Sequence, residues 1–168
     1  GISKEEKFIH KKYNNCVLIT LQITGDHSLD QNQKMLDEII SIIDSNKDIN
    51  FYIRSHPRFN NSLDISVLKD MAIDFSSKSL VECFKTCSVH LTAYSTSTFE
   101  CSEFGIPTVF LESMKDSFNI FENEFNFPFN VSLQEISLNY IKYSEMVLCW
   151  RKKYYSYFNA EKFKSLLK

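Results

Sequence analysis

Along the first two thirds of the chain, apolar runs alternate with amphipathic stretches, and their periods mark out the elements. Cys16 to Ile23 is a short, nearly continuous apolar run, the pattern of a strand buried on both faces. Gly25-Asp26-His27-Ser28 breaks it. From Asp30 to Asp44, Met35, Leu36, Ile39, Ile40, Ile42 and Ile43 recur at helical spacing, with Asp30 placed to cap. A second strand is expected at Ile49 to Ile53, a short helix within Leu63 to Met71 and a short strand at Ala72 to Phe75. Ser79 to Thr86 reads as a helix, Ser88 to Thr92 as a strand and Thr108 to Leu111 as another strand. Strand and helix alternating over short loops is the pattern of a parallel sheet covered by helices. The fold class expected is therefore α/β: a Rossmann-like three-layer domain. From Leu133 the pattern turns to helices only, through Trp150, Tyr154, Tyr155, Phe158 and Phe163 to Lys168.

Ligands of such sheets collect at the carboxyl ends of the strands, and three polar segments directly follow expected strands. The first is Gly25-Asp26-His27-Ser28, the second Arg54-Ser55-His56-Pro57-Arg58, and the third Tyr94-Ser95-Thr96-Ser97. They are expected to share one edge. Pro57 disfavours a helical residue before it and forces a loop, which leaves His56 at a strand end between Arg54 and Arg58. A histidine there suits hydrogen bonding to a phosphate or acid chemistry near neutral pH, and arginines are natural phosphate ligands. Ser95, Thr96 and Ser97 stand at the expected mouth of a helix, where unpaired N–H groups and a partial positive charge suit an anion. The same hydroxyls also make an ordinary N-cap. Glu100 follows five residues after Ser95, placed either to accept from a ribose diol or to sit near the helix dipole. Gly105 stops that helix and Pro107 opens the next strand. Asp26 and His27 rank lower, as sequence neighbours seldom point at one another, and His10 and His90 lack supporting context, His90 reading as an interior residue.

Composition narrows the function classes. The chain has 168 residues, 43% hydrophobic and 24% charged, enough for one domain with a proper core. Its formal charge of −2, from 19 basic and 21 acidic residues, gives no footprint for nucleic acid. No apolar stretch approaches the roughly 20 residues that span a bilayer, and no signal-peptide core is visible, so a soluble, cytoplasmic protein is expected. Cys16, Cys83, Cys87, Cys101 and Cys149 form no paired or metal-like spacing and read as free, buried thiols. There is no GxGxxG after the first strand, no Walker loop, no GxSxG and no HExxH, which argues against the usual dehydrogenases, P-loop ATPases and hydrolases.

Taken in order, Arg54-Ser55-His56-Pro57-Arg58, Ser95-Thr96-Ser97, Glu100 and Gly105-Ile106-Pro107 resemble the C-terminal half of GT-B glycosyltransferases. The similarity covers roughly Cys16 to Val131 and is nearest to bacterial enzymes of capsule, lipopolysaccharide and teichoic-acid assembly. Sialyltransferases, Kdo transferases and glycerophosphotransferases of that kind carry a His-Pro and a Ser-Ser or Ser-Thr motif that contact the phosphate of a cytidine nucleotide donor. His56-Pro57 and Ser95-Thr96 match these, and Glu100 falls near the position of the ribose-binding acid. The resemblance implies a transferase using a nucleotide-sugar, CMP-sugar favoured and UDP-sugar the alternative. Retaining relatives carry a second acid eight residues before Glu100, where this chain has Thr92, so the resemblance implies an inverting enzyme. His56 and the Ser95 turn would then stabilise charge on the departing phosphate while the acceptor displaces it at the anomeric carbon. No cofactor and no metal are implied.

The expected organisation is a lead-in at 1–15, a nucleotide-sugar-binding domain at 16–132, and C-terminal helices at 133–168 packing on it or on an N-terminal domain that carries the glycan acceptor. Gly1 without an initiator methionine implies a longer natural protein, and the half alone is expected not to turn over. The basic aromatic section Trp150-Arg151-Lys152-Lys153-Tyr154-Tyr155 is a candidate for peripheral contact with the inner face of a membrane, against packing on its own sheet. A UDP-GlcNAc 2-epimerase-like enzyme would use the same half-domain, and a non-catalytic interaction domain would leave the sheet edge vacant.

Overall fold

Five of the six residues of β1 (Cys16–Leu21) are buried, as a strand covered on both faces requires. The structure, a computed structural model, describes residues 9, 12–58 and 63–154. Beside β1 stand β2 (Asn50–Ser55), β3 (Ile73–Asp74), β4 (Val89–Thr92) and β5 (Thr108–Phe110), in the order β3-β2-β1-β4-β5 and all parallel. The chain runs outward from β1 through β2 and β3, then returns to the other side of β1 for β4 and β5. The topological switch point therefore lies between β1 and β4, where α/β sheets open a crevice. The Rossmann-like α/β fold expected from the sequence is the fold observed.

Register fixes what stands at that crevice. Thr20 is level with Arg54 on one side and Thr92 on the other, and Leu21 is level with Ser55. β2 runs two residues beyond the expected Ile53, so Arg54 and Ser55 belong to the strand. β1 stops two residues before Ile23, because Gln22 turns its side chain to the backbone of Tyr94. β3 is only two residues long and exposed, as suits a sheet edge.

The helices are α1 (Leu29–Ser45), α2 (Ser66–Met71), α3 (Leu80–Thr86), α4 (Ser97–Cys101), α5 (Lys115–Phe125), α6 (Leu133–Leu138) and α7 (Tyr140–Tyr154). The cap of α1 is Ser28 and not Asp30. Ser28 has extended backbone, accepts from the Gln31 N–H at 3.2 Å and donates its own N–H to Gln31 Oε1 at 2.9 Å. That reciprocal box satisfies two orphan donors at once, while Asp30 sits in the first turn and pairs with Lys34 at 2.8 Å.

The pleat sends Val17, Ile19 and Leu21 to one face, where they pack with Met35, Leu36 and Ile39 of α1 and with aromatics of α5, of the segment after it and of α7. Leu18 points to the other face and joins a smaller cluster with Phe84 of α3 and with Cys101 and Phe104 at the end of α4. Thr20, His90 and Thr92 alternate onto this second face too, giving a polar layer under α4. Cys83, Cys87 and Cys101 are buried free thiols as expected, whereas Cys16 is half-buried and Cys149 is exposed.

Two residues of the basic aromatic section turn inward. Trp150 is buried, its Nε1 donating to the Phe125 carbonyl at 2.6 Å, and Arg151 pairs with Glu103 at 2.6 Å with both side chains nearly covered. Lys152 and Lys153 are exposed, and Tyr155, Phe158 and Phe163, like His10, lie outside the described residues. Among the described residues no helix is long and apolar enough to cross a membrane.

Candidate functional site

At the switch point the ends of β1 and β2 and the turn that follows β4 enclose a pocket of about 260 Å³. Arg54, His56 and Pro57 line it from β2, Ser95, Thr96, Ser97 and Glu100 from α4 and the turn before it. Seven of the ten candidate residues thus share one wall-to-wall space. Gly25, Asp26 and Arg58 are not among the lining residues. Arg58 instead closes an ion pair across two loops, Nη2 lying 2.9 Å from Asp26 Oδ2, with both side chains largely exposed. The volume is below the roughly 300–1,000 Å³ of a complete small-molecule site.

A larger pocket of about 460 Å³ opens on the opposite face, where Ile42, Leu91, Val109 and Leu133 meet Glu38 and Glu112. Its lining holds two carboxylates and no histidine or cation. The convergent donors are in the smaller pocket, which is the better candidate for binding an anion.

His56 has a defined tautomer. Its Nδ1 accepts the backbone N–H of Arg58 at 3.0 Å, and a backbone N–H can only donate, so the ring proton is on Nε2. Burial first, then Arg58 and Arg54, lower its pKa from the usual 6.5, with Asp26 opposing. The imidazole is therefore a neutral N–H donor near pH 7. Arg54 is steadied by donating from Nε to the Lys78 carbonyl at 3.3 Å. Glu100 keeps contact with solvent, yet desolvation raises its carboxyl above the usual value, with Arg54 opposing and Glu103 adding.

The helix mouth offers fewer free donors than the sequence suggests. The Ser97 N–H donates to Ser95 Oγ at 3.2 Å, the Thr98 N–H to the Ser95 carbonyl at 3.0 Å and the Phe99 N–H to the Thr96 carbonyl at 2.9 Å. α4 is only five residues long and gives way to a 3₁₀ turn at Ser102–Phe104, closed by Gly105 in the left-handed region with φ 66°. So short a helix has a small dipole, and anion binding would rest on side-chain hydroxyls more than on the macrodipole.

Several participants are not among the ten candidate residues. Thr20, Gln22 and Leu80 line the pocket. Gln22 Oε1 accepts the Tyr94 N–H at 2.6 Å and thereby fixes the start of the hydroxyl turn. His90 lies beneath that turn, fully buried and within 2.9 Å of Thr20 Oγ1 and 3.3 Å of Ser97 Oγ. His27 is hydrogen-bonded through Nε2 to the Tyr94 hydroxyl, and it and Asp26 both approach Thr24 Oγ1 at 3.5 Å. The two sequence neighbours thus meet one cluster through Thr24. Only Gln22 had a local signal, as a polar residue closing an apolar run; the others depend on strand register. Among the described residues no group of three or more side chains is arranged to hold a metal ion.

No protein-family model and no curated protein sequence matches the chain. Solved structures do match, glycosyltransferases among them. The wall teichoic acid polymerase TagF aligns over 88% of this chain and 40% of its own, with 16% identity and a TM-score of 0.54. Its H444N variant with CDPG gives 86%, 39%, 16% and 0.54. The glycosyltransferase SnogD from Streptomyces nogalater aligns over 90% of this chain and 41% of its own, with 12% identity and a TM-score of 0.50. The chain shares the fold of the part it aligns with and spans about two fifths of the length of each.

Proposed function

We propose that this domain is the donor half of a glycosyltransferase and binds the phosphate of a nucleotide-sugar in the pocket between His56 and Ser95. The observation that carries the reading is convergence. His56, with its proton on Nε2, and the Ser95 hydroxyl turn line one small pocket at the topological switch point. Residues 16–132 hold the nucleotide, α6 and α7 buttress them, and a second half-domain supplies the glycan acceptor. A CMP-sugar is the favoured donor and a UDP-sugar the alternative, with transfer inverting the anomeric carbon.

In that reaction the acceptor hydroxyl oxygen forms a bond to the anomeric carbon and gives its proton to a base on the second half-domain, as the bond to the phosphate oxygen breaks. Charge grows on the departing phosphate. His56 and Ser95 donate hydrogen bonds to it, and a single well-placed donor of this kind contributes about 3–4 kcal/mol to lowering a barrier. Arg54 adds positive charge at the pocket wall, and Glu100 accepts from the ribose. SnogD, a glycosyltransferase, and TagF, a wall teichoic acid polymerase, support the reading through the fold that each shares over the aligned part.

Calorimetric titration with CMP, CDP, UMP and UDP tests it, alongside His56→Ala and Ser95→Ala. Saturable binding of one nucleotide, weakened in both variants, is expected and names the base. Absence of binding by the chain and by a longer form carrying its partner half would overturn the reading in favour of an interaction domain.

A further inference from the structure

Under the hydroxyl turn, the hydrogen bonds around His90 have only one consistent direction. The Tyr94 N–H donates to Gln22 Oε1 at 2.6 Å, so the amide oxygen, not its nitrogen, faces the turn. Thr92 Oγ1 has that oxygen at 3.1 Å and the Thr20 carbonyl at 3.3 Å. Both can only accept, so the Thr92 proton goes to one of them. Thr20 Oγ1, 2.9 Å from Thr92 Oγ1, must then donate to it. With the single Thr20 proton committed, the 2.9 Å contact between Thr20 Oγ1 and His90 Nε2 requires the proton to be on the ring. On the far side Nδ1 accepts from Thr108 Oγ1 at 3.1 Å.

The consequence reaches the pocket. His90 Nε2–H also faces Ser97 Oγ at 3.3 Å, so the Ser97 proton is directed away from the ring and onto Ser95 Oγ at 2.7 Å. Ser95 Oγ already accepts from the Ser97 N–H at 3.2 Å. With both acceptor positions filled, its own proton has no acceptor among the described residues and is left for the pocket. The opposite tautomer would let Ser97 donate to the ring and accept from Ser95, turning a lone pair of Ser95 toward the ligand.

We propose that His90 is a positioning residue: as its Nε2–H tautomer it aligns Ser97 and Ser95 so that Ser95 presents an O–H donor to a phosphoryl oxygen. The inference rests on the phosphate-binding reading of the pocket and adds the group that sets the polarity of its hydroxyls. Burial pushes the His90 pKa down to about 3, so the ring keeps a single proton at neutral pH and the direction does not fluctuate. Reversal would replace a donor with an acceptor facing a negative charge, which is how a residue without ligand contact could govern affinity.

Two measurements test the proposal. Long-range proton–nitrogen correlation spectra of the unliganded chain should show His90 as the Nε2–H tautomer; an Nδ1–H tautomer overturns the inference whatever the chain binds. Titration with inorganic pyrophosphate then compares the chain with His90→Phe, His90→Gln, Ser95→Ala and the double variant His90→Phe/Ser95→Ala. His90→Phe is expected to weaken binding about tenfold or more, His90→Gln to recover part through its amide donor, and the double variant to bind no worse than Ser95→Ala. A purely structural histidine would give losses that add, and additive losses or unchanged affinity overturn it. If His90→Phe does not fold, His90→Gln and the spectrum still decide. Failure of both the unsubstituted chain and a longer form carrying its partner half to bind pyrophosphate and nucleotides would sink the proposed function itself, a different result from binding that ignores His90.

Discussion

Trp150 is stacked on Phe99, with ring centroids 5.2 Å apart and an interplanar angle of 18°. Phe99 belongs to α4, two residues after Ser97, so the last described helix packs directly behind the turn that lines the pocket. Phe125 and Phe127 close on the same pair from the sides. The helices after the sheet are therefore structural support for the site.

Trp150→Ala is expected to remove that support. Deleting a buried tryptophan costs about 3–5 kcal/mol, and α4 is too short to hold its geometry on backbone bonds alone. Chemical unfolding followed by circular dichroism should show the lower midpoint, since the variant loses the single tryptophan. Affinity for nucleotide should fall with it under conditions where the variant remains folded. A loss of stability with unchanged affinity would separate α7 from the site.

Gly105 makes a second connection between α7 and the site. Its φ of 66° lies in the left-handed region, and an added Cβ would come within 2.7 Å of Ser144 Oγ and 3.3 Å of Leu148 Cδ1. Gly105→Ala should destabilise by about 1–3 kcal/mol, combining the backbone penalty with the close approach. Gly105→Ala/Ser144→Ala separates the two terms: removing the hydroxyl should recover the steric part only. Full recovery in a denaturation midpoint would show that the left-handed conformation carries no cost here.

Much of the fold is legible in the residue pattern because each element answers to local periods. The apolar run at β1 and the helical spacing in α1 needed no tertiary information. The cap at Ser28 was legible too, since Ser28 and Gln31 have capping-box spacing, though Asp30 competes for attention by composition. The His56 loop and the Ser95 turn could be found because both follow strand ends, where a parallel sheet gathers its ligands. Strand order was not legible: nothing local says that β4 returns beside β1. The same holds for Gln22 and His90, whose partners Tyr94 and Thr20 are 72 and 70 residues away and become neighbours only through register. Arg58 illustrates the limit at the surface, where a cation that suits phosphate is instead held by Asp26.

His90 should shape the acid stability of the protein. Its folded pKa of about 3 lies below its unfolded value of 6.5 because burial disfavours the charged ring. Above pH 6.5 both states are neutral and the residue contributes no pH dependence. As pH falls below 6.5 the unfolded state takes up a proton that the folded state refuses, so stability declines by up to about 1.4 kcal/mol per pH unit until the folded ring titrates. The groups facing the ring are Thr20, Ser97, Thr108 and Cys101, and the Cys101 thiol is itself pushed up to about 12 by burial, so none supplies a compensating charge. His90→Gln should flatten the acid limb by that one-proton slope when unfolding midpoints are compared at pH 7, 6 and 5. Parallel acid limbs would mean that the ring is not held neutral.

His56 should bind phosphate as a neutral donor. A second proton would have to enter at Nδ1, where the Arg58 N–H already sits at 3.0 Å, and the neighbouring Arg58 and Arg54 oppose the added charge. With its pKa held below the usual 6.5, the stability of the neutral ring is fully present above pH 6.5 and is lost as pH falls through the lower folded value. The informative comparison is His56→Gln, which keeps an N–H donor near the Nε2 position and cannot titrate. Glu100 and the phosphate titrate in both proteins and cancel in the ratio of their affinities. That ratio, measured by calorimetry with the best-binding nucleotide, should stay flat from pH 8 down to 6.5 and change only below it. A step centred at or above pH 6.5 would show that the bound state stabilises the imidazolium, and His56 would then act as an acid toward the phosphate, not as a fixed hydrogen-bond donor.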